Sequence, residues 1–201
     1  MKLHWSPKSP YVRKVMICAQ ELGCLGRFEL VRSVAAMLKP NVQLMQDNPL
    51  SKIPALVLDD GSTLIDSPVI CEYLNELAGG ALFPTQGVEK WRALRWQAFG
   101  DGLLDALILW RNERERSAPL PELLEAFELK TRATLKLFEA EVSDLTDVQL
   151  NIGQITVGVA LGYIDYRFNT LNWRDQVPQL AAWHMSLCQR PSFVATEPED
   201  G

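Results

Sequence analysis

The chain changes character once along its 201 residues, and that change limits the fold more than any single motif does. Up to Gly80, apolar runs of strand length alternate with stretches whose apolar residues recur at helical spacing. Beyond Val88 nothing strand-like remains. Lys2 to Trp5 reads as a short strand. From Pro10 to Leu22 the residues Val12, Val15, Met16, Ala19 and Leu22 mark one helical face, and Gly23 supplies a stop. Phe28 to Val31 is a second strand candidate. The pattern weakens from Ser33 to Pro49, where a short irregular helix is expected. Ile53 to Leu58 reads as a proline followed by a buried strand. Asp59 to Ser62 makes a turn, and Thr63 to Ile65 a short returning strand. Ser67 can cap a helix running through Leu77, with Pro68 at its first position and Gly79-Gly80 at its end. The order β-α-β-α-β-β-α joins one strand pair through a helix and another by a tight turn. That requires a mixed sheet of four strands in an α/β domain.

Ala81 to Gly87, with Pro84, reads as a linker, so residues 1–80 and 88–201 are expected to form two domains. Trp91, Leu94, Arg95, Ala98, Leu103, Ala106, Leu107 and Trp110 predict a long helix with an apolar stripe, broken by Pro119 and Pro121. Leu123 to Val142 is a further helix. Asn151-Ile152-Gly153-Gln154 has the form of a capping box ahead of an apolar run from Ile155 to Ile164. Val177 to Cys188 makes another helix, stopped by Arg190-Pro191. The second domain is therefore all-helical.

Composition narrows the function classes. A net charge of −5 and the lack of a basic cluster argue against nucleic-acid binding. No apolar run approaches membrane-spanning length, and Ser-Pro interrupts the N-terminus before a leader could form. The cysteines Cys18, Cys24, Cys71 and Cys188 lack zinc spacing, and only His4 and His184 could assist, so no metal is expected. Cys18 and Cys71 read as small buried hydrophobes in a reducing cytoplasm.

Three constellations carry chemistry. In Ser6-Pro7-Lys8-Ser9-Pro10-Tyr11, Ser9 stands at the mouth of a helix whose first position suits Pro10. Its hydroxyl can cap the helix or face a ligand drawn to the helix N-terminus. In Ile53-Pro54, the proline either starts a strand or forms a cis bond that leaves the Ile53 N–H and C=O open to a peptide-like ligand. In Asp66-Ser67, acid and hydroxyl either cap a helix or take the ammonium and carboxylate of an amino-acid head group. No GxSxG occurs, and two histidines leave few general bases for acyl transfer.

Their joint occurrence, in this order, resembles the cytosolic glutathione S-transferases over nearly the whole chain. Ser6-Pro7-Lys8-Ser9-Pro10-Tyr11-Val12-Arg13-Lys14-Val15 is similar to the start of many bacterial members. Asn48-Pro49-Leu50-Ser51-Lys52-Ile53-Pro54-Ala55-Leu56 resembles their Asn-Pro-x-Gly-Lys-Val-Pro-x-Leu loop. Asp66 to Leu74 resembles the segment that holds the γ-glutamyl group, and Arg190-Pro191-Ser192-Phe193 the close of the helical domain.

The resemblance implies a thioredoxin-like N-terminal domain, an all-α C-terminal domain, a cis Pro54 and a cytoplasmic homodimer packed largely through the helices after Ser67 and Val88. It implies glutathione as co-substrate, without a metal, in detoxifying transfer to a small electrophile. By position Ser9 faces the glutathione sulfur, with Ser6 and Tyr11 as rivals. Ile53 pairs with the cysteinyl unit, Lys52 and Lys39 serve the glycyl carboxylate, and Asp66 and Ser67 take the γ-glutamyl end. Trp5, Tyr11, Trp110 and Arg114 are expected to wall an electrophile pocket between the domains. Two alternatives keep the fold: a glutathione-binding protein without meaningful turnover, and a glutathione-dependent isomerase or peroxidase.

The chain departs from the family pattern in several places. Trp5 replaces a tyrosine at the end of the first strand. Ser51 stands where glycine is usual, and Asn151 and Gln154 replace Ser or Thr and Asp in the capping box. Ser9 is not a cysteine, which disfavours disulfide exchange through an enzyme thiol.

Overall fold

The computed structural model describes residues 1–200. In chain order the elements are β1 (Lys2–Trp5), α1 (Pro10–Glu21), β2 (Glu29–Arg32), β3 (Ala55–Val57), β4 (Thr63–Leu64) and α2 (Ser67–Ala78). There follow α3 (Gly87–Arg114), α4 (Pro121–Ala140), α5 (Val142–Thr146), α6 (Ile152–Arg167), α7 (Trp173–Gln176), α8 (Pro178–Leu187) and α9 (Pro191–Val194). The chain forms two compact units. One comprises Met1–Phe83 and the chain from Pro191 onward; the other is Pro84–Arg190.

In the first unit a four-stranded sheet has the order β2-β1-β3-β4. β1 and β2 are parallel, with Trp5 opposite Arg32; β3 is antiparallel to both β1 and β4. This is the mixed α/β arrangement expected from the sequence, and its thioredoxin-like form follows from the helix that joins the parallel pair. Leu3, Val12, Val15, Cys18, Leu56, Ile70, Cys71 and Leu74 are all buried, as the helical and strand periodicities require. Burial pushes the Cys18 thiol up from its ordinary range, and a hydrogen bond with Cys71 adds to the shift. Buried Arg13 donates from Nη2 to the Phe193 carbonyl at 3.2 Å, fixing α1 to α9.

Two local expectations gain detail. Ser33 to Pro49 holds no α-helix, only a 3₁₀ turn at Leu44–Gln46 and an isolated bridge between Ala36 and Lys39. Most of this stretch is exposed, so it has no buried face to stabilise a helix. Arg190-Pro191 stops one helix but also opens another, because proline suits the first position of α9.

The second unit is all-helical. α6 is apolar around nearly its whole circumference, and every residue from Ile152 to Leu161 is buried. α3 packs on it, and the buried residues Ala93, Trp96, Gly100, Leu103, Leu107 and Trp110 of α3 form a stripe at three- and four-residue spacing. Gly100 and Gly153 permit the close approach. A Cβ on Gly100 would lie 2.8 Å from Thr156 Cγ2, and one on Gly153 2.6 Å from the Ala93 carbonyl oxygen.

The capping box of α6 is complete despite its atypical residues. Asn151 Oδ1 accepts from the Gly153 and Gln154 N–H groups at 2.9 and 3.3 Å, and Gln154 Oε1 accepts from the Asn151 N–H at 2.8 Å. Gln154 then uses the amide donors that an aspartate lacks. Its Nε2 reaches the Leu145 carbonyl at 2.8 Å and ties the cap to α5. No helix among the described residues is long and apolar enough to cross a membrane.

Candidate functional site

The sheet register collects the three sequence constellations at one end of the first unit. β1 ends at Trp5 and leads directly into Ser6–Ser9. β3 runs antiparallel with His4 opposite Ala55, so Ile53 and Pro54 enter at that same end. β4 pairs Leu64 with Leu56 and leaves toward Asp66 and Ser67 at that end as well.

Ser9 is the N-cap of α1. Its Oγ accepts from the Val12 N–H at 3.3 Å, and Pro10 occupies the first helical position. Ser9 is half-buried, so the hydroxyl is neither sealed in the core nor free in bulk solvent. The two readings of this serine are chemically compatible. A hydroxyl that accepts with a lone pair keeps its proton for donation elsewhere. Ser6 takes a different part, accepting from the Lys8 N–H with its hydroxyl at 3.4 Å and from the Ser9 N–H with its carbonyl at 3.2 Å. Tyr11 is half-buried on the first turn of α1.

The Ile53–Pro54 peptide bond is cis. Among the described residues, neither the N–H nor the C=O of Ile53 meets a hydrogen-bonding partner. The loop ahead of it is braced from within. Buried Asn48 donates from Nδ2 to the Lys52 carbonyl at 2.8 Å and accepts from the Leu50 N–H at 3.1 Å. Ser51 adopts the left-handed conformation with φ 52°, the geometry that favours glycine. Its hydroxyl accepts from the Asn41 N–H at 2.8 Å, a bond glycine could not make. The substitution thus preserves the turn and adds a tie across the loop. Lys52 and Lys39 are both exposed.

At α2 the expectation that Ser67 caps the helix needs correcting. Ser67 is the first helical residue and Asp66 occupies the cap position, with no cap bond from its side chain. The Ile65–Asp66 peptide bond is cis. The first intrahelical bond runs from the Ile70 N–H to the Asp66 carbonyl at 3.1 Å. The first-turn N–H groups therefore lack a side-chain partner, and Asp66 stands exposed beside them while Ser67 is buried.

One polar cluster near this end escaped the sequence reading. Buried His4 bridges Ser33 Oγ through Nδ1 and Asp47 Oδ2 through Nε2, both at 2.8 Å. Lys2 Nζ lies 2.6 Å from the same carboxylate oxygen. The hydrogen bonds from Lys2 and then His4 hold the Asp47 carboxyl below its ordinary range. The alternation along β1 puts Lys2 and His4 on one face, but nothing local points to Asp47 far along the chain.

The expected electrophile wall is divided between the units. In the first, the Arg32 guanidinium lies over the half-buried Trp5 ring, 5.6 Å from its centroid. In the second, buried Trp110 packs on Phe168 with ring centroids 4.8 Å apart. Arg114 crosses the same Phe168 ring at 4.5 Å and donates to the Arg167 carbonyl at 3.0 Å. Phe168 was not anticipated; it follows the apolar run of α6 at its C-terminal end. No group of three or more His, Cys, Asp or Glu side chains among the described residues could hold a metal ion.

Comparison with known proteins adds a second line. Residues 8–77 match the family model described as "Glutathione S-transferase, N-terminal domain". The chain is 33% identical over 204 aligned positions to an uncharacterized GST-like protein, YibF, of Escherichia coli strain K12, covering 98% of each chain. A crystal structure of a glutathione transferase family member from Pseudomonas fluorescens Pf-5 with bound glutathione superposes with a TM-score of 0.95. It is 43% identical and covers 98% of each chain. A structure from the same source with bound S-(propanoic acid)-glutathione gives a TM-score of 0.90 at 41% identity, covering 99% of this chain and 100% of that one.

Proposed function

The chain belongs to the glutathione S-transferase family, and from that premise we propose that it binds glutathione and adds its thiolate to a small electrophile. In this reading Ser9 donates its hydroxyl proton to the sulfur. Ile53 offers its N–H and C=O to the cysteinyl unit. Asp66 takes the γ-glutamyl ammonium, while Ser67 and the first-turn N–H groups of α2 take the carboxylate. Lys52, with Lys39, serves the glycyl carboxylate, and Pro54 shapes the loop. The working form is a homodimer.

The observation that carries the reading is the backbone of Ile53, whose polar groups stay unpaired beside a braced loop, at the same sheet end as Ser9 and Asp66. A ligand that satisfies them must itself present a peptide-like donor and acceptor, as glutathione does.

Thiolate chemistry sets the scale. A free thiol with pKa near 8.5 is only about 3% ionised at pH 7. Lowering that value by ~2 units takes roughly 2.7 kcal/mol. One charge-assisted hydrogen bond together with the α1 dipole is of about that size. The thiolate attacks the electrophilic carbon, and positioning of that carbon supplies the rest of the rate.

The test is calorimetric titration with glutathione, followed by conjugation of an aryl halide. Saturable binding with turnover is expected. Failure to bind glutathione would overturn the proposal, and binding without turnover across a broad electrophile panel would reduce it to a binding protein.

A further inference from the structure

Resting on the glutathione reading, we infer that the electrophile carries a carboxylate, and that Arg32 binds it above Trp5. β1 and β2 are parallel and in register at Trp5 and Arg32, so both side chains leave one face of the sheet at its C-terminal end. Trp5 is the last strand residue before the Ser6–Ser9 turn, so this pair stands at the sheet end where the sulfur would lie. The guanidinium carbon is 5.6 Å from the indole centroid. Attraction to the ring's π cloud uses none of the five N–H donors, so the guanidinium keeps an N–H edge for a partner. That edge matches a carboxylate with two parallel hydrogen bonds.

The charge is also unspent. Arg32 is exposed, and among the described residues no carboxylate lies within ion-pairing distance of it. By contrast Arg95, Arg116, Arg132 and Arg174 all face carboxylates at 3.1 Å or less. The indole beside Arg32 is half-buried and gives the carbon chain of a short acid an apolar floor.

The chemistry that fits is conjugate addition to an α,β-unsaturated acid. The glutathione sulfur forms a bond to the β-carbon. The π pair moves to the α-carbon, which takes a proton from water; with acrylate, the simplest such acid, the product is S-(2-carboxyethyl)glutathione. No oxidant is consumed. An arginine on the carboxylate offsets the negative charge that develops next to it, which a neutral pocket would not do.

Binding of the product tests the idea without requiring turnover. S-(2-carboxyethyl)glutathione, S-propylglutathione and glutathione are titrated calorimetrically into the wild-type protein, Arg32→Gln and Arg32→Lys. The wild type is expected to favour the carboxyethyl over the propyl ligand by about tenfold, the size of one partly exposed charged contact. Arg32→Gln removes that preference and leaves propyl and unmodified glutathione unchanged; Arg32→Lys keeps part of it. Equal affinity of the wild type for the two thioethers overturns the inference. So does a uniform loss across all three ligands in Arg32→Gln, which would put Arg32 on the tripeptide. If none of the ligands binds the wild type, the glutathione reading fails as well.

Discussion

Replacing Ser9 by alanine removes a hydroxyl that caps α1 and that we propose also donates to the glutathione thiolate, and the two costs separate. As a cap, Ser9 offers the Val12 N–H a contact of 3.3 Å, at the long end for such bonds. Loss of a cap costs about 0.5–1 kcal/mol of stability. As a donor to a thiolate it is worth about 1.5–3 kcal/mol. At 1.36 kcal/mol per unit, the pKa of bound glutathione should rise by roughly 1–2 units. The rate at neutral pH changes much less. A shift of ~2 units cuts the thiolate fraction at pH 7 about 25-fold. The more basic thiolate recovers about eightfold of that loss in nucleophilicity. The net effect at pH 7 is only about threefold.

The pH profile of kcat/KM is therefore the assay that discriminates. Ser9→Ala should move its rising limb to higher pH by roughly 1–2 units. For a ~2-unit shift the two profiles should cross near about pH 7.6, above which the variant overtakes the wild type because its thiolate is the better nucleophile. Ser9→Thr keeps the hydroxyl and should restore the wild-type limb. An unmoved limb in Ser9→Ala, with glutathione still bound, would refute the assignment and turn attention to Ser6 or Tyr11.

Other perturbations bear on the scaffold. Ser51→Ala keeps the left-handed backbone but loses the bond to Asn41, so urea denaturation should show a loss of about 1 kcal/mol, whereas Ser51→Gly trades that bond against the φ penalty and should stay within about 0.5 kcal/mol of wild type. Asn151→Ala dismantles the buried capping box and should cost about 1–2 kcal/mol by the same measurement. The Glu141 carboxyl is held below its ordinary range first by Arg95, at 2.7 and 2.8 Å, and then by the Trp96 indole N–H. Its contribution is thus present above the pKa of an unfolded glutamate, about 4.3, and is lost as pH falls through the lower folded value. Glu141→Gln should be less stable near neutral pH by about 1–2 kcal/mol, with the gap closing as the pH is lowered through that window.

The course of the backbone was readable where local and tertiary demands agree. The apolar spacing of Val12, Val15 and Ala19 states a buried helical face, and the proline at each of positions 10 and 68 marks where a helix begins. The stretch from Ser33 to Pro49 gives only a weak local signal because its order comes from distant partners. Asp47 is held by Lys2 and His4, and Asn41 by Ser51, none of which leaves a periodic trace.

The candidate site lies at the same boundary between local and distant information. The motif gave the residues at positions 9, 53, 66 and 67, but not what each backbone does. Ser67 illustrates the gap: capping preference favours it as the N-cap, yet the cap falls on Asp66 and the serine enters the helix. Ser51 illustrates the reverse. Judged by propensity, a serine in place of glycine weakens the turn; judged by its hydroxyl, it replaces conformational freedom with a bond to Asn41. The same double accounting applies to Ser9. Capping and thiolate donation use different parts of one hydroxyl, so the strength of the cap says nothing against the catalytic role. Only an observable tied to the proton, such as the limb of the pH profile, distinguishes a serine that does both from one that merely begins a helix.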